Sequence, residues 1–468
     1  MTDQNATSET EVLVIGGGPA GYGAAIRAAQ YDCAVTLVEQ SNYGGTCLNH
    51  GCIPSKALIA ATDIAHTAGN AEAMGIHADP TIDMPTMIEW KEGVVDRLTG
   101  GVEKLCKANG VTLVTGTARF TGETSAVVDG ADGSTTIEFE NAIVATGSQP
   151  IELPFLPFSD DGILDSKQAL GLTDPPESLT IIGAGYIGME LAGVFAKLGT
   201  DVRVIELLDG VLPRYDASLT RYVQRRARVL GIDFHFETGV EGYERLDDGT
   251  LRLETDTDEA FDSEAVLVAV GRTPVTETVD LDAAGIQVSE SGTIPVDASL
   301  RTANPAIFAI GDVIGDPMLA HAGLAEGLHA SAVIAGEADE YGDPLVPEVV
   351  FTEPEIARIG LSADAAQEAG FETIIGEFPF RSSGRAMSVD ETDGLVRLIA
   401  DAATDRLLGG EIVGHEAAEL IGEIGVALSL DATLADIAGT VHAHPTMAEG
   451  IMEAAEHAHG RAIHRVNR

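Results

Sequence analysis

Basic residues are scarce. The 468-residue chain sets 27 Lys and Arg against 74 Asp and Glu, a formal net charge of −47, and none of its six lysines follows Lys197. A field of that sign repels nucleic acid and anionic membranes. The acidic residues are scattered, not gathered into a tail, so no disordered acidic segment is implied. Such a surface resembles those of proteins from salt-loving cells, where high ionic strength screens the self-repulsion. Loss of activity or unfolding on dilution into low salt is the expectation. Cysteine is scarce as well: Cys33, Cys47, Cys52 and Cys106 are all there are, too few for a secreted disulfide scaffold. No apolar run approaches a membrane span. The first ten residues are polar and acidic, without the basic-plus-apolar pattern of a signal segment. A soluble cytoplasmic protein of roughly three domains is expected.

Two of the few cysteines lie in one short stretch, Gly44-Gly45-Thr46-Cys47-Leu48-Asn49-His50-Gly51-Cys52-Ile53-Pro54-Ser55-Lys56. The glycines predict a tight loop running into a helix. A five-residue offset on a helix puts side chains on neighbouring turns, near disulfide reach, and thiols at a helix N-terminus have lowered pKa values. A redox-active disulfide is one reading; two structural cysteines is the other, and spacing alone leaves both open. Cys33 and Cys106 fall at positions that predict plain packing.

The stretch follows a strand at 11–15, the sequence Gly16-Gly17-Gly18-Pro19-Ala20-Gly21, an Ala-rich helix and a second strand that ends at Glu39. This is G-x-G-x-x-G in its strand–helix–strand–acid setting. The first glycine turns the chain, the second admits a pyrophosphate and the third packs the helix, whose N-terminus faces the phosphates. The pattern recurs at a strand over 179–182, Gly183-Ala184-Gly185-Tyr186-Ile187-Gly188, a helix, and a strand ending at Glu206. In both, 23 positions separate the first glycine from the acid. Two dinucleotide sites are implied. Glu206 accepts from a ribose 2′-hydroxyl and repels a 2′-phosphate, so NAD is preferred over NADP.

Between the repeats, residues 83–109 predict a helix and 111–141 short strands with Asp-Gly turns at 129–130 and 132–133. A strand at 141–144 runs into Ala145-Thr146-Gly147-Ser148, and Pro150, Pro154 and Pro157 mark a boundary. A strand at 265–270 leads to Gly271, and one at 307–310 ends in Gly311-Asp312, a strand end where ligands gather in α/β sheets. From about 346, strands followed by helices at 416–429 and 433–438 predict an α+β domain. Near its end lies His442-Ala443-His444-Pro445-Thr446-Met447-Ala448-Glu449. A His and a Glu five apart can form an oriented base; metal binding by His442 and His444 is a weaker rival, and a capped helix start is the plain one.

Taken together, Gly-Gly-Thr-Cys-Leu-Asn-x-Gly-Cys-Ile-Pro-Ser-Lys, the two glycine motifs, Ala-Ile-Gly-Asp and His-Pro-Thr-x-x-Glu resemble, in order and over nearly the whole chain, the flavin-dependent disulfide oxidoreductases, and within them the branch that acts on dihydrolipoyl groups. Glutathione reductase is the nearest rival, but it normally carries basic residues where this chain has Glu206. His50 departs from the usual apolar residue, placing a polar group between the thiols, and Ala448 from a common Ser. The resemblance implies an α/β fold with two Rossmann-like dinucleotide-binding domains, for FAD and NAD, and a C-terminal α+β dimerisation domain. Residues 1–150 and 275–345 would hold FAD, 151–274 NAD, and 346–468 would form the interface. Gly16, Gly18, Gly21, Glu39, Thr146, Gly147, Gly311 and Asp312 would serve FAD. Gly183, Gly185, Gly188, Glu206 and Gly271 would serve NAD, with Tyr186 over the nicotinamide. Cys52 would lie against the flavin and Cys47 would face the substrate. Lys56 and Glu190 would pair beside the flavin. His444 with Glu449 would be the base, reaching in from the second subunit of an obligate homodimer. The implied activity is oxidation of dihydrolipoamide or a lipoylated carrier by NAD⁺ through a Cys47–Cys52 disulfide.

Overall fold

The computed structural model describes residues 6–131, 133–257, 259–342 and 344–467. The chain divides into two compact units, one of residues 1–158, 164–174 and 270–344, the other of 159–163, 175–269 and 345–468.

The first unit begins with β1 (Ala6–Ile15), α1 (Pro19–Gln30), β2 (Val35–Glu39), α2 (Gly45–His50), α3 (Cys52–Gly69) and α4 (Met84–Ala108), then β3 (Thr112–Thr115), β4 (Thr117–Gly122), β5 (Ser125–Gly130) and β6 (Gly133–Val144). Its seven-stranded sheet runs β3-β2-β1-β6-β5-β4, with Ile307–Ala309 also on β6. β1 lies parallel to β2 and β6, with Val14 opposite Leu37 and Ile143. Residues 12–15 are apolar throughout because both faces are covered. Val12 and Val14 pack toward α1, while Leu13 and Ile15 join Phe120, Ile137 and Phe139 on the other face. Asp129 and Gly130 end strand β5 instead of forming the expected turn, and Asp132 of the second Asp-Gly pair lies outside the described residues. Cys106 is fully buried among the core residues beside α1, and Cys33 packs at their edge.

Some large elements escaped the sequence reading, among them the helices Ala217–Val229 and Ala320–Ile334. The helix Ala320–Ile334 lies on α1 through small residues. A Cβ on Gly327 would meet the Ala20 carbonyl at 2.5 Å, so only glycine permits that approach.

In the second unit, parallel strands run in the order Asp233–His235, Asp201–Ile205, Ser178–Ile182 and Ala265–Val268. The helix Tyr186–Lys197 follows the central strand. From 348 onward five antiparallel strands form a second sheet, ordered Glu348–Val350, Glu355–Gly360, Leu407–Gly414, Leu395–Asp401, Thr373–Pro379. Helices Ala417–Ser429, Leu434–Gly439 and Glu449–Ala458 share its core with Phe378, Leu398, Ile412, Ile424 and Ile451. A Cβ on Gly376 would lie 1.9 Å from the Ala454 carbonyl, so this glycine lets the Glu449–Ala458 helix sit directly on its strand. Among the described residues no helix is long and apolar enough to cross a membrane.

Candidate active site

The two glycine loops are copies of one another. Gly16 and Gly183 have φ of +105° and +103°, the left-handed region that favours glycine. A Cβ on Gly21 would lie 1.8 Å from the Gly16 carbonyl, and one on Gly188 2.0 Å from the Gly183 carbonyl. These third glycines therefore let each helix meet its strand. At Gly185 a Cβ would meet nothing within 4 Å, and at Gly18 only the Gly45 Cα at 3.8 Å. The second glycines thus open space over each helix N-terminus, the room a pyrophosphate needs. The acids repeat too. Gly17 N–H donates to Glu39 Oε2 at 2.7 Å and Ser41 N–H to Oε1 at 2.9 Å. Ala184 N–H donates to Glu206 Oε2 at 2.7 Å and Leu208 N–H to Oε1 at 2.9 Å. Each carboxylate is braced at its strand end beside its loop. By this internal geometry the chain fits two dinucleotides, FAD and NAD.

The cysteine stretch is built onto the first loop. Gly44 N–H donates to the Gly17 carbonyl at 2.7 Å, and a Cβ on Gly45 would meet Gly18 Cα at 2.5 Å. Asn49 secures the start of α2 by donating to the Tyr43 and Gly45 carbonyls at 3.2 and 3.0 Å, and it accepts from Thr99 at 3.1 Å. The stretch is not one helix. It breaks at Gly51, so Cys47 sits inside α2 and Cys52 opens α3. Cys47 is half-buried and Cys52 exposed, both as thiols. The lowered pKa expected of both thiols does not hold for Cys47. Its hydrogen bond to the Cys52 side chain and its burial push the thiol above the ordinary range, outweighing the pull of Lys56. The helix-start argument belongs to Cys52 alone, because the chain breaks between the two. His50 turns toward a cavity of about 530 Å³ lined also by Asn49, Lys91 and Lys167, and burial with the nearby Lys167 lowers its pKa.

Thr146 donates to the Val275 carbonyl at 2.6 Å, and Gly147 takes φ +73°. Gly311 has φ +72°, and its N–H donates to Glu326 Oε2 at 2.6 Å. Ser148 hydrogen-bonds Asp312, and Arg272 donates to Ser148 Oγ at 2.7 Å. Ser148, Arg272 and Glu326 were not foreseen, since their partners lie on distant segments. Burial raises the Glu326 pKa despite the Gly311 amide. Gly271 lies in the first unit, its carbonyl accepting from Ile151 N–H at 3.1 Å, whereas Gly183, Gly185 and Gly188 lie in the second. Lys56 stands on α3 in the first unit. Glu190, 5 % exposed, is in the second, where it accepts from Phe351 N–H at 3.0 Å. Tyr186 is exposed at its helix start.

In the C-terminal part, His444 Nδ1 lies 2.9 Å from Glu449 Oε1, and Glu449 Oε2 accepts from Thr446 N–H at 2.9 Å. Burial opposes ionisation of Glu449, but the Thr446 amide and His444 outweigh it and lower its pKa. His444 is 79 % exposed, so its Nε2 is presented outward. His442 faces elsewhere, toward Glu423. Among the described residues no group of three or more His, Cys, Asp and Glu is placed to hold a metal.

Residues 10–327 match the family model described as pyridine nucleotide-disulphide oxidoreductase, and 346–455 match that family's dimerisation domain. The chain is 53 % identical, over 100 % of both chains, to a protein of Halobacterium salinarum named dihydrolipoyl dehydrogenase. A Geobacillus stearothermophilus protein of the same name is 43 % identical over 97 % of each chain. Among solved structures, LpdA from Mycobacterium tuberculosis superposes with a TM-score of 0.90 at 27 % identity, covering 96 % of this chain and 99 % of that one. The fold, the paired loops and these matches agree: the chain belongs to the pyridine nucleotide-disulphide oxidoreductase family.

Proposed function

We propose that the chain oxidises dihydrolipoyl groups, free as dihydrolipoamide or on a carrier protein, to the cyclic disulfide, with NAD⁺ as final acceptor. The observation that carries this reading is the hydrogen-bonded Cys47–Cys52 pair built directly onto the first glycine loop. The names of relatives from Halobacterium salinarum, Haloferax volcanii and Geobacillus stearothermophilus support the substrate.

In this reading the resting enzyme holds a Cys47–Cys52 disulfide. His444, with Nδ1 donating to Glu449, takes a proton at Nε2 from one substrate thiol. The thiolate attacks Cys47 Sγ, the Cys47–Cys52 bond breaks, and Cys52 leaves as thiolate. The second substrate thiol then attacks the substrate sulfur of the mixed disulfide, the lipoyl disulfide departs, and Cys47 takes up the proton. Cys52 opens α3, where a helix start favours a thiolate, so the charge is assigned to Cys52 and the proton to Cys47. FAD, when bound, supplies acceptance of the electron pair from this dithiol and its delivery to NAD⁺. Gly16, Gly18, Gly21, Glu39, Thr146, Gly147, Gly311 and Asp312 are assigned to FAD, with Lys56 and Glu190 as the charged pair beside it. Gly183, Gly185, Gly188, Glu206 and Gly271 are assigned to NAD, with Tyr186 at the nicotinamide.

The division into segments 1–150 and 275–345 for FAD, 151–274 for NAD and 346–468 for pairing belongs to the same proposal. So does a homodimer in which His444 and Glu449 serve the cysteines of the second copy. The dimerisation-domain match and the outward His444 support it, as do the exposed Val426, Leu430 and Val441 at 62 %, 75 % and 95 %. A cytoplasmic setting in a salt-loving cell completes the reading. Turnover of dihydrolipoamide with NAD⁺ and with NADP⁺ tests it. Faster turnover with NAD⁺ is the expected result; faster turnover with NADP⁺, or none with either, contradicts it.

A further inference from the structure

His442 is left without a role by the chemistry above, yet its ring is only 5 % exposed and held on both sides. Nε2 lies 2.7 Å from Glu423 Oε1, and Nδ1 lies 3.0 Å from the Thr440 carbonyl. Glu423 stands on the Ala417–Ser429 helix, and Thr440 closes the Leu434–Gly439 helix. Both partners are acceptors, so the ring is held by hydrogen bonding between a backbone carbonyl and a carboxylate. The clamp ties the segment leaving one helix to the flank of another, and His444 follows two residues later. On its other side His444 is tied by Glu449, which also binds Thr446 N–H. The short run from Thr440 to Thr446 is thus fixed at both ends, with the exposed imidazole of His444 between the anchors.

We propose that His442 is a positioning residue for the His444–Glu449 base, holding the backbone so that His444 Nε2 points at the incoming thiol. The inference rests on the proposed dithiol chemistry. A loosened anchor leaves His444 in place but widens its range of orientations. Small misplacements of a reacting group are costly, about a hundredfold for a shift of about 1 Å.

The test compares holoenzyme variants by two assays. Dihydrolipoamide:NAD⁺ turnover needs the base; NADH:ferricyanide turnover draws electrons without it. In His442→Ala, dithiol turnover falls at least about tenfold, while flavin content, melting temperature and ferricyanide turnover stay at wild-type values. In a His444→Gln background, His442→Ala causes no further loss, because its effect passes through His444. Glu423→Ala behaves like His442→Ala. Glu423→Gln recovers most of the activity, since a carboxamide can donate to Nε2 of a neutral ring whose Nδ1 still donates to Thr440. Unchanged dithiol turnover in His442→Ala overturns the inference. So does an equal fall in both assays, or an additive loss in the His444→Gln background. A wild-type holoenzyme inactive toward dihydrolipoamide overturns the underlying function instead, and the inference with it.

Discussion

Glu449 receives the Thr446 amide on one oxygen and His444 on the other, and this double duty makes it a sharp probe. Its folded-state pKa is depressed. It therefore contributes stability that is fully present above the unfolded carboxylate value of about 4.3 and is lost as pH falls through the lower folded value. The melting-temperature gap between wild type and Glu449→Gln should persist down to about pH 4.3 and close only below it. A gap already closed at pH 6 contradicts the depression. His444→Gln should cut dihydrolipoamide turnover by about a hundredfold to ten-thousandfold, and Glu449→Gln by less, since the base remains but is no longer oriented. At this scale the sequence was legible wherever partners lie close along the chain. His444 and Glu449 are five apart, and Glu39 and Glu206 occupy equivalent places in two repeats. The Asp312–Ser148–Arg272 network was not, because its bonds span 164 and 124 positions and nothing local marks them.

The two glycine repeats invite a paired experiment on the second unit. Gly185→Ala adds a methyl to open space, so the fold should be kept and NADH affinity should fall about tenfold or more by steric exclusion of the dinucleotide backbone. Gly188→Ala drives a methyl to 2.0 Å from the Gly183 carbonyl, so it should lower stability by several kcal/mol. Equal melting temperatures for the two variants would contradict this division. Elements were readable from sequence where pattern is strong: the apolar β1 and β2, the glycine turns, and the strand-then-helix texture after 346. The helix Ala320–Ile334 was missed because its leucines, histidines and small residues are spread round it and leave no clear apolar stripe. The break between α2 and α3 was missed because one glycine within a helical pattern is ordinarily tolerated.

For the whole molecule, the charge of −47 is the controlling property. Like charges repel through a field that salt screens, with a Debye length near 3 Å at about 1 M and near 10 Å at about 0.1 M. Melting temperature and activity should fall together on dialysis from molar salt to about 0.1 M; unchanged values would show that the acidic surface carries no such cost. Composition announced this without any fold. Composition says nothing of the two compact units, each of which is discontinuous in sequence, 1–158 going with 270–344 and 175–269 with 345–468.

The central claim is that electrons enter from a dithiol through Cys47 and Cys52 beside a flavin. Anaerobic titration of the FAD-loaded enzyme with dihydrolipoamide tests it most directly. One equivalent should produce long-wavelength charge-transfer absorbance that NAD⁺ then abolishes, and Cys47→Ser, with its flavin still bound, should not be reduced by the dithiol. Reduction of Cys47→Ser at the wild-type rate, or a wild-type flavin that dihydrolipoamide leaves fully oxidised with no such band, would contradict the account.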